Sequence, residues 1–460
     1  MAALVGGTWL IVAVAADLIA RPLPVVSATG ATTIRVEQRY DIAATLDVAA
    51  SRLEAIETLT VTNRSTITID HLNLSAIPRA FGYLSMDERS VSVDGAGVVA
   101  EWTTTTNLRV PLRGNLAPDE TAVVRVPFGL DVGSSSGAFA ARLSSDNGVI
   151  SFGEWFPIVS RVHDSYGIGD PQVSYHAELI RLELRTNAPL ARDAVACPGL
   201  ERAPADTGTR WACEARDVRD FSFVVNPDFH LTSRDAAGTE IRVYTETVPG
   251  EATADLAAAA LATLGDTYGP YPWEDLVLAE VGPATGPSME YPRAIHLTRP
   301  EVEDEYVVDH EVAHQWFYAQ IGNDQMREPW LDEAFADFSA RYLMGTSVEH
   351  CSPRDVDSPV YAWPADLVSG GDWTSCDGYV HTVFLKGSDF LSAIRAEMGD
   401  SAFFAALREF VERHRHGVVT TRVLLDHLEN WDSAELMPIY LDYVAAYGRP
   451  PDAPRAGRAV

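Results

Sequence analysis

His310 and His314 flank a glutamate in the segment His310-Glu311-Val312-Ala313-His314. Residues four positions apart lie on one face of a helix, so both imidazoles can reach the same metal ion. Glu311 lies beside them, where its carboxylate can act as general base and take a proton from an attacking water. The pattern therefore predicts a metal-dependent hydrolytic site.

A third ligand is expected further along the chain, because a catalytic zinc site takes three protein ligands and keeps one position open. Glu333 lies within Trp330-Leu331-Asp332-Glu333-Ala334-Phe335-Ala336, which we expect to form the next, antiparallel helix. Residues 322–329 contain the Gly, Asn, Asp and Pro that favour a turn between the two helices. His310, His314 and Glu333 are therefore predicted to hold one Zn²⁺ per chain.

The helices that must position these residues are visible in the hydrophobic period of the second half. Residues 253–264 are rich in alanine, and Gly269-Pro270-Tyr271-Pro272 ends the predicted helix. A short apolar strand is predicted at residues 276–281. Beyond residue 305 the 3.6-residue period dominates, and one predicted helix face carries Phe390, Leu391, Ile394 and Met398.

The first half of the chain has the period of strands. Between about residues 33 and 245 apolar and polar residues alternate, as in Ile180, Leu182 and Leu184. We therefore expect a multidomain α+β protein, with an N-terminal antiparallel β-sandwich over residues 29–246. A mostly α-helical domain over residues 247–460 would follow and carry the metal site.

Composition and charge exclude some classes of function. The chain has 460 residues, of which 47% are hydrophobic and 22% charged, and such a composition is typical of a folded protein rather than a disordered one. Its formal net charge of −30 repels phosphate backbones, so we expect no nucleic-acid partner. The oligomeric state has no signature in the sequence.

The N-terminus indicates export. Residues 2–16 are apolar, and Val26-Ser27-Ala28 is typical of a cleavage site with small residues. Residues 1–28 are therefore predicted to be a signal peptide or an uncleaved N-terminal anchor. Any attachment to a membrane would be through this segment only. We expect a secreted or cell-surface protein.

The four cysteines agree with export, because disulfides form in oxidising compartments. They fall into two local pairs, Cys197 with Cys213 and Cys351 with Cys376. Three connectivities are open, and local pairing, which closes short loops, is the simplest.

The motif HEVAHQW, followed by WLDEAFAD, resembles the gluzincin aminopeptidases of family M1. Gly286-Pro287-Ser288-Met289-Glu290-Tyr291-Pro292 is similar to the family's G-x-M-E-N exopeptidase signature, and the resemblance extends over roughly residues 36–450. It implies a β-sandwich packed on a thermolysin-like catalytic domain, and peptide substrates. It also implies that Glu290 and Met289 bind substrate, with the Glu290 carboxylate pairing with the free α-amine. We expect a short form without the family's additional C-terminal domains.

The resemblance breaks at Phe384-Leu385-Lys386-Gly387, which stands where the family has Tyr-x-Lys-Gly. In the family the tyrosine hydroxyl stabilises the oxyanion, whereas phenylalanine cannot donate a hydrogen bond. Tyr379 falls on a second tyrosine position of some family members, and we predict that it is the catalytic donor here. His381 is the alternative donor if this segment is helical.

Two acidic residues of the predicted second helix are candidates for a supporting role. Asp332 and Asp337 would accept hydrogen bonds from the zinc histidines and orient their rings.

These residues favour a zinc aminopeptidase that acts on peptide N-termini. The substitution at Phe384 favours a second hypothesis, a metal-binding but catalytically weak relative that binds peptides or proteins. An endopeptidase is the third, and it would require Glu290 to point away from the cleft.

Overall fold

The structure, a computed structural model, describes residues 34–134, 142–160, 174–282, 287–325, 328–345, 380–431 and 435–443. The predicted N-terminal leader, Tyr379, Cys351 and Cys376 lie outside these residues. None of the helices in the described ranges is long and apolar enough to cross a bilayer.

The N-terminal half is built from strands. In chain order they are β1 (Val36–Asp47), β2 (Arg52–Asn63), β3 (Ile69–Ser75), β4 (Leu84–Ser85), β5 (Ser92–Val93), β6 (Ala96–Gly97), β7 (Glu101–Trp102), β8 (Asn107–Leu116), β9 (Thr121–Asp131), β10 (Leu143–Asp146), β11 (Val149–Phe152), β12 (Ile158–Val159), β13 (Ala177–Ala191), β14 (Val195–Ala196), β15 (Leu200–Arg202), β16 (Thr207–Val218) and β17 (Phe223–Val225). Short 3₁₀ turns lie at Ile77–Arg79 and Glu88–Ser90.

The strands form three sheets. The largest has the order β15-β16-β13-β1-β2-β9-β5-β6, with β4 also paired to β9, and the others have the orders β12-β3-β8-β7 and β10-β11-β17-β14. Pairing is antiparallel except between β1 and β13, which run parallel. The sheets share one apolar core, to which alternate residues of each long strand contribute.

The predicted alternation holds in β13. Ile180, Leu182 and Leu184 are buried, whereas Glu183 and Arg185 are exposed. The predicted β-sandwich is therefore confirmed, and its parallel β1–β13 pair is a detail that the period of two does not reveal.

One predicted disulfide is present. Cys197 and Cys213 are bonded, with their Cα atoms 6.2 Å apart, and the bridge joins the start of the β15 hairpin to β16. This bond confirms the first local pair, while the pairing of Cys351 with Cys376 stays a prediction.

A second unit begins with a mixed sheet of β18 (His230–Ala236), β19 (Thr239–Thr245), β20 (Asp275–Val281) and β21 (Ala294–Thr298), paired in that order. β18 and β19 are antiparallel, and β20 runs parallel to both β19 and β21. The boundary predicted between residues 246 and 247 thus falls between strands of one sheet. The domain limits themselves stay a prediction.

Helices complete the second unit. They are α1 (Glu251–Tyr268), α2 (Glu305–Ala313), α3 (Trp330–Met344), α4 (Lys386–Met398), α5 (Asp400–His414), α6 (Thr421–Trp431) and α7 (Met437–Tyr443), with a 3₁₀ turn at Arg299–Glu301 and a π-helical turn at His381–Leu385. Apolar faces of these helices and the inner face of β19–β21 form its core. Together with the β-sandwich, this arrangement confirms the predicted fold class.

Candidate metal centre

Helix α2 carries the first ligands. Asp304 caps it by accepting a hydrogen bond from the backbone N–H of Val307, at 3.2 Å. His310 and Glu311 lie in its last turn, and His314 is the residue at which the helix ends. The helix begins at a strong cap and points its carboxyl end, with both histidines, into the protein.

Helix α3 runs beside α2 and brings Glu333 to the histidines from its first turn. The Nε2 atoms of His310 and His314 are 3.2 Å apart. The Oε2 atom of Glu333 is 3.2 Å from Nε2 of His310 and 3.4 Å from Nε2 of His314. The three predicted ligands therefore place one donor atom each at the corners of a nearly equilateral triangle.

Hydrogen bonding sets the orientation of His314. Its Nδ1 is 3.0 Å from the carbonyl oxygen of Phe317, to which an N–H at this position donates. The imidazole then carries its lone pair on Nε2, which faces His310 and Glu333. The turn after α2 thus fixes the ring in the tautomer that a metal ligand needs.

The field of the site favours a positive charge. Burial alone would lower the pKa of His314, but the carboxylates of Glu333, Glu290 and Glu311 outweigh it and hold this pKa well above its usual range. Burial would likewise raise the pKa of Glu333, but hydrogen bonds from His310 and His314 lower it to about 2. The negative charges of these acids around two imidazoles favour a cation at this place.

The triangle fits a zinc ion. Zinc binds imidazole nitrogen and carboxylate oxygen at about 2.0–2.2 Å, so two tetrahedral ligands lie about 3.3–3.5 Å apart. The observed separations of 3.2, 3.2 and 3.4 Å are close to that spacing. His310, His314 and Glu333 are buried or nearly so, and two nitrogens with one oxygen is the donor set of a catalytic zinc site.

Glu311 and Glu290 lie with this triangle in the interior. Glu311 is 6% exposed and Glu290 5% exposed, and the charges of both act on His314. The predicted general base and the predicted amine-binding residue are thus brought to one place by elements far apart in sequence.

Gln315 holds the Glu290 segment against the end of α2. Its Oε1 accepts a hydrogen bond from the backbone N–H of Arg293 at 2.9 Å, and its Nε2 donates to the carbonyl oxygen of Tyr291 at 3.2 Å. Sequence reasoning missed this role. The signal was present, because Gln315 directly follows the second histidine, but its partner could not be inferred from spacing.

Met289 is buried in an apolar cluster. Its backbone pairs with His296 through two 2.8 Å hydrogen bonds, and its side chain, 2% exposed, packs in an apolar cluster with Val149 and Val224 of the β-sandwich. Its predicted role in substrate binding stays a prediction.

Phe384 lies directly against the triangle. Its ring stacks on that of His310, with centroids 5.6 Å apart and planes inclined by 5°. Close by, the start of α4 packs tightly on α3 at Gly387, where a Cβ would overlap the Cβ of Ala334. The segment that departs from the family pattern therefore contacts a predicted zinc ligand.

The segment from His381 to Leu385 is helical, as the alternative role of His381 requires, but it is a π-helical turn. A π-helix has more residues per turn than an α-helix, so positions three apart no longer share a face closely. His381 is buried, and neither of its ring nitrogens has a hydrogen-bond partner within the described ranges. Such turns are frequent at functional sites.

The two acidic residues of α3 fix elements around the histidines. Asp332 accepts hydrogen bonds from Asn323 and Gln325 and thereby ties the preceding loop to the start of α3. Asp337 accepts a 2.6 Å hydrogen bond from the hydroxyl of Tyr306, whose ring packs at 5.8 Å from that of His310. The support that Asp337 gives to His310 is therefore indirect.

Sequence comparison agrees with the site. Residues 295–442 match the domain of peptidase family M1. Aminopeptidase N of Lactobacillus delbrueckii subsp. lactis is 28% identical over 158 residues, which are 30% of this chain and 18% of that protein. Aminopeptidase N of Lactobacillus helveticus is 26% identical over 163 residues, 31% of this chain and 19% of that protein. The match thus spans less than a fifth of either relative.

Solved structures share the fold. The M1 zinc metallopeptidase of Deinococcus radiodurans superposes with a TM-score of 0.66 at 19% identity, over 91% of this chain and 95% of that one. A mutant of that peptidase bound to a Tyr-Ser-Ala substrate gives a TM-score of 0.66 at 18% identity, with the same coverage. Both units of the present chain therefore have counterparts in one solved protein.

Proposed function

This chain belongs to peptidase family M1, whose domain it carries at residues 295–442, and on that premise we propose that it is a zinc-dependent aminopeptidase. It would hydrolyse the first peptide bond at the N-terminus of a peptide. The observation that carries the proposal is the convergence of His310, His314 and Glu333, whose donor atoms lie 3.2–3.4 Å apart.

His310, His314 and Glu333 would hold the ion. The chemistry that Zn²⁺ supplies when bound there is polarisation of the scissile carbonyl and a lowered pKa for water. The Phe317 carbonyl keeps His314 in the required tautomer, so the site needs little reorganisation on binding.

Glu311 would be the general base. Its carboxylate takes one proton from water while the water oxygen bonds to the carbonyl carbon, and it passes that proton to the departing nitrogen as the C–N bond breaks. Glu311 is 6% exposed, so few other water molecules compete for its oxygens.

Glu290 would select free N-termini. A buried carboxylate pairs strongly with an ammonium group, and this pair fixes which peptide bond lies beside Glu311. The hydrogen bonds of Gln315 to Tyr291 and Arg293 hold the backbone on that side in place. The Tyr-Ser-Ala substrate bound by the Deinococcus radiodurans mutant supports peptides as the substrate class.

Tyr379 would donate the hydrogen bond that stabilises the oxyanion, since Phe384 cannot. This assignment is a proposal from the sequence alone.

The test is hydrolysis of a panel of aminoacyl fluorogenic substrates by zinc-loaded protein, with N-acetylated substrates as the control. We expect cleavage of the free-amine substrates only, and no cleavage by Glu311→Gln, which keeps the shape of the side chain. Equal cleavage of free and acetylated substrates would contradict the aminopeptidase assignment and favour an endopeptidase.

One alternative is a metal-binding relative with weak catalysis that binds peptides or proteins, and it is favoured by Phe384, whose ring lies on that of His310 but has no hydrogen-bond donor. The same panel separates the two functions. A weak relative would take up zinc and bind peptides, yet its turnover would stay close to that of Glu311→Gln.

Export of the protein remains part of the proposal. The Cys197–Cys213 bond supports an oxidising compartment, because cytosolic reductants keep most thiols reduced. We propose a secreted or cell-surface protein on this ground and on that of the N-terminal segment.

A further inference from the structure

Three side chains with metal-ligating atoms meet where the two units touch, and none of them belongs to the zinc triangle. His176 lies just before β13, Asp217 lies near the end of β16, and His416 follows α5. Their ligand atoms all lie within 4.8 Å of one another. Within the described ranges, the zinc triangle is the only other group of three such residues.

The spacing suits a metal ion. Nε2 of His176 is 3.4 Å from Oδ1 of Asp217, and the rings of His176 and His416 have centroids 4.1 Å apart. Two ligands of a tetrahedral zinc ion lie about 3.3–3.5 Å apart when each is about 2.0–2.2 Å from the metal. His176 and Asp217 already have that separation, and the ring of His416 is in contact with that of His176.

Two ring nitrogens of this group make no hydrogen bond within the described ranges. Nδ1 of His416 is buried and has no hydrogen-bond partner among the residues that the structure describes, and Nε2 of His176, which is also buried, has only the ion-pair contact with Asp217. A buried polar atom without a partner costs stability. A metal ion would satisfy both nitrogens together, and the exposed Asp217 would supply the negative charge and leave an open side for water.

The backbone around His416 is fixed from both sides. Its N–H donates to the carbonyl oxygen of Gln320 at 2.7 Å. The next carbonyl, that of Gly417, accepts from Arg219 at 2.9 Å and from the N–H of Gly322 at 2.9 Å. Residues 320 and 322 belong to the loop between α2 and α3, so this turn joins the β-sandwich to the loop that links the two zinc helices.

Two of the three residues have unusual backbone angles. Asp217 has φ of 56° and His416 has φ of 63°, in the left-handed region that costs non-glycine residues energy. Such conformations persist only where the surrounding structure determines them, and here they bring the two side chains together.

We propose that His176, Asp217 and His416 form a second metal site, which binds Zn²⁺ or a similar divalent transition ion and clamps the two units together. Two imidazoles and a carboxylate, with a water in the fourth position, suit zinc, cobalt and nickel rather than calcium or magnesium. Its ligands come from both units, and none of them belongs to the residues proposed for hydrolysis, so the role that we propose for the ion is to join the two units.

The test is the metal content of the full-length protein, stripped with a chelator and then dialysed against Zn²⁺ alone. We expect two zinc ions per chain by elemental analysis for the wild type, and one for His416→Ala and for Asp217→Asn. The second variant keeps the shape of an exposed side chain, so it reports on the ligand without disturbing the fold. His414→Ala is the matched control, because His414 lies two positions away on α5, packs against Phe410 at 4.6 Å and should leave both ions bound.

Thermal unfolding provides a second measurement. Zn²⁺ should raise the Tm of His314→Ala, whose remaining site is the proposed one, and should not do so once His416→Ala is added. This pair also separates the two proposals. A wild type with a single zinc that is lost in His416→Ala but kept in His314→Ala would uphold the second site and overturn the zinc triangle.

Two results would overturn the second site. One is a wild type with a single zinc that only His314→Ala loses. The other is a second equivalent of zinc that survives in both His416→Ala and Asp217→Asn, since such an ion must be held elsewhere.

Discussion

Two substitutions test which residue donates a hydrogen bond to the oxyanion. Tyr379→Phe removes one hydroxyl, and Phe384→Tyr adds one at a second position. The ring of Phe384 lies parallel to that of His310, at 5.6 Å, and Gly387 holds its segment close to Ala334. A tyrosine at position 384 would keep this stacking and add one donor beside a zinc ligand. The two single variants and the double variant therefore move one hydroxyl between two positions.

One oxyanion donor contributes about 100- to 1000-fold in kcat, or roughly 2.7–4 kcal/mol. We therefore expect Tyr379→Phe to lower kcat by that factor with little change in KM, because the bond forms chiefly in the transition state. In the Tyr379→Phe background, Phe384→Tyr should restore most of the loss. Because Phe384 is only partly buried beside His310, the added oxygen requires no repacking of the core.

The assay is steady-state hydrolysis of a fluorogenic aminoacyl substrate at full zinc occupancy. Phe384→Leu is the control, since it removes the ring without adding a donor and should not restore kcat. The reasoning fails if Tyr379→Phe leaves kcat unchanged while Phe384→Tyr alone raises it about a hundredfold. In that case the wild type lacks the donor, and the weak-enzyme hypothesis gains.

Four further predictions concern metal, substrate, pH and redox state. His314→Ala should lose the zinc of the catalytic triangle, as measured by elemental analysis, while binding at the second site continues. Glu290→Ala should lower kcat/KM for free-amine substrates by about 100-fold or more, through the loss of a charge-assisted pair and of orientation, and unchanged kinetics would remove its assigned role. Burial, with the charges of His427 and Arg413, lowers the pKa of His414 to about 4. The contribution of the neutral His414 to the free energy of unfolding is therefore fully present above pH 6.5 and is lost as the pH falls towards 4. His414→Gln should flatten the fall in Tm over that pH range. Mass mapping of the exported protein without reduction should find Cys351 bonded to Cys376, and free thiols there would contradict the predicted pairing.

The chemistry of the zinc triangle was predictable because it depends on local spacing. The histidine pair needs only one helix, and Glu333 needs only that a turn and a second helix follow. The structure forms α2 and α3 from these segments and brings the three donor atoms within 3.4 Å. The β-sandwich and the Cys197–Cys213 bond were predictable for the same reason, since a period of two and a short loop are local properties.

Contacts between distant segments had no such signature. The parallel pairing of β1 with β13 and the hydrogen bonds from Gln315 to the Glu290 segment depend on how whole elements pack. The stacking of Phe384 on His310 and the close contact of Gly387 with Ala334 likewise depend on how this segment packs against α2 and α3. A single sequence shows which side chain is present at each position, but not which partner it meets.

The sequence by itself determined which residues can bind zinc and what that site can do, because ligand type and helical spacing limit the chemistry. Only the tertiary structure decided that His176, Asp217 and His416 meet. They lie just before one strand, near the end of another and just after a helix, in two different units. No helical or strand period in the sequence relates their positions. Their meeting follows from the packing of the units and from a few backbone hydrogen bonds, which form only once the chain has folded.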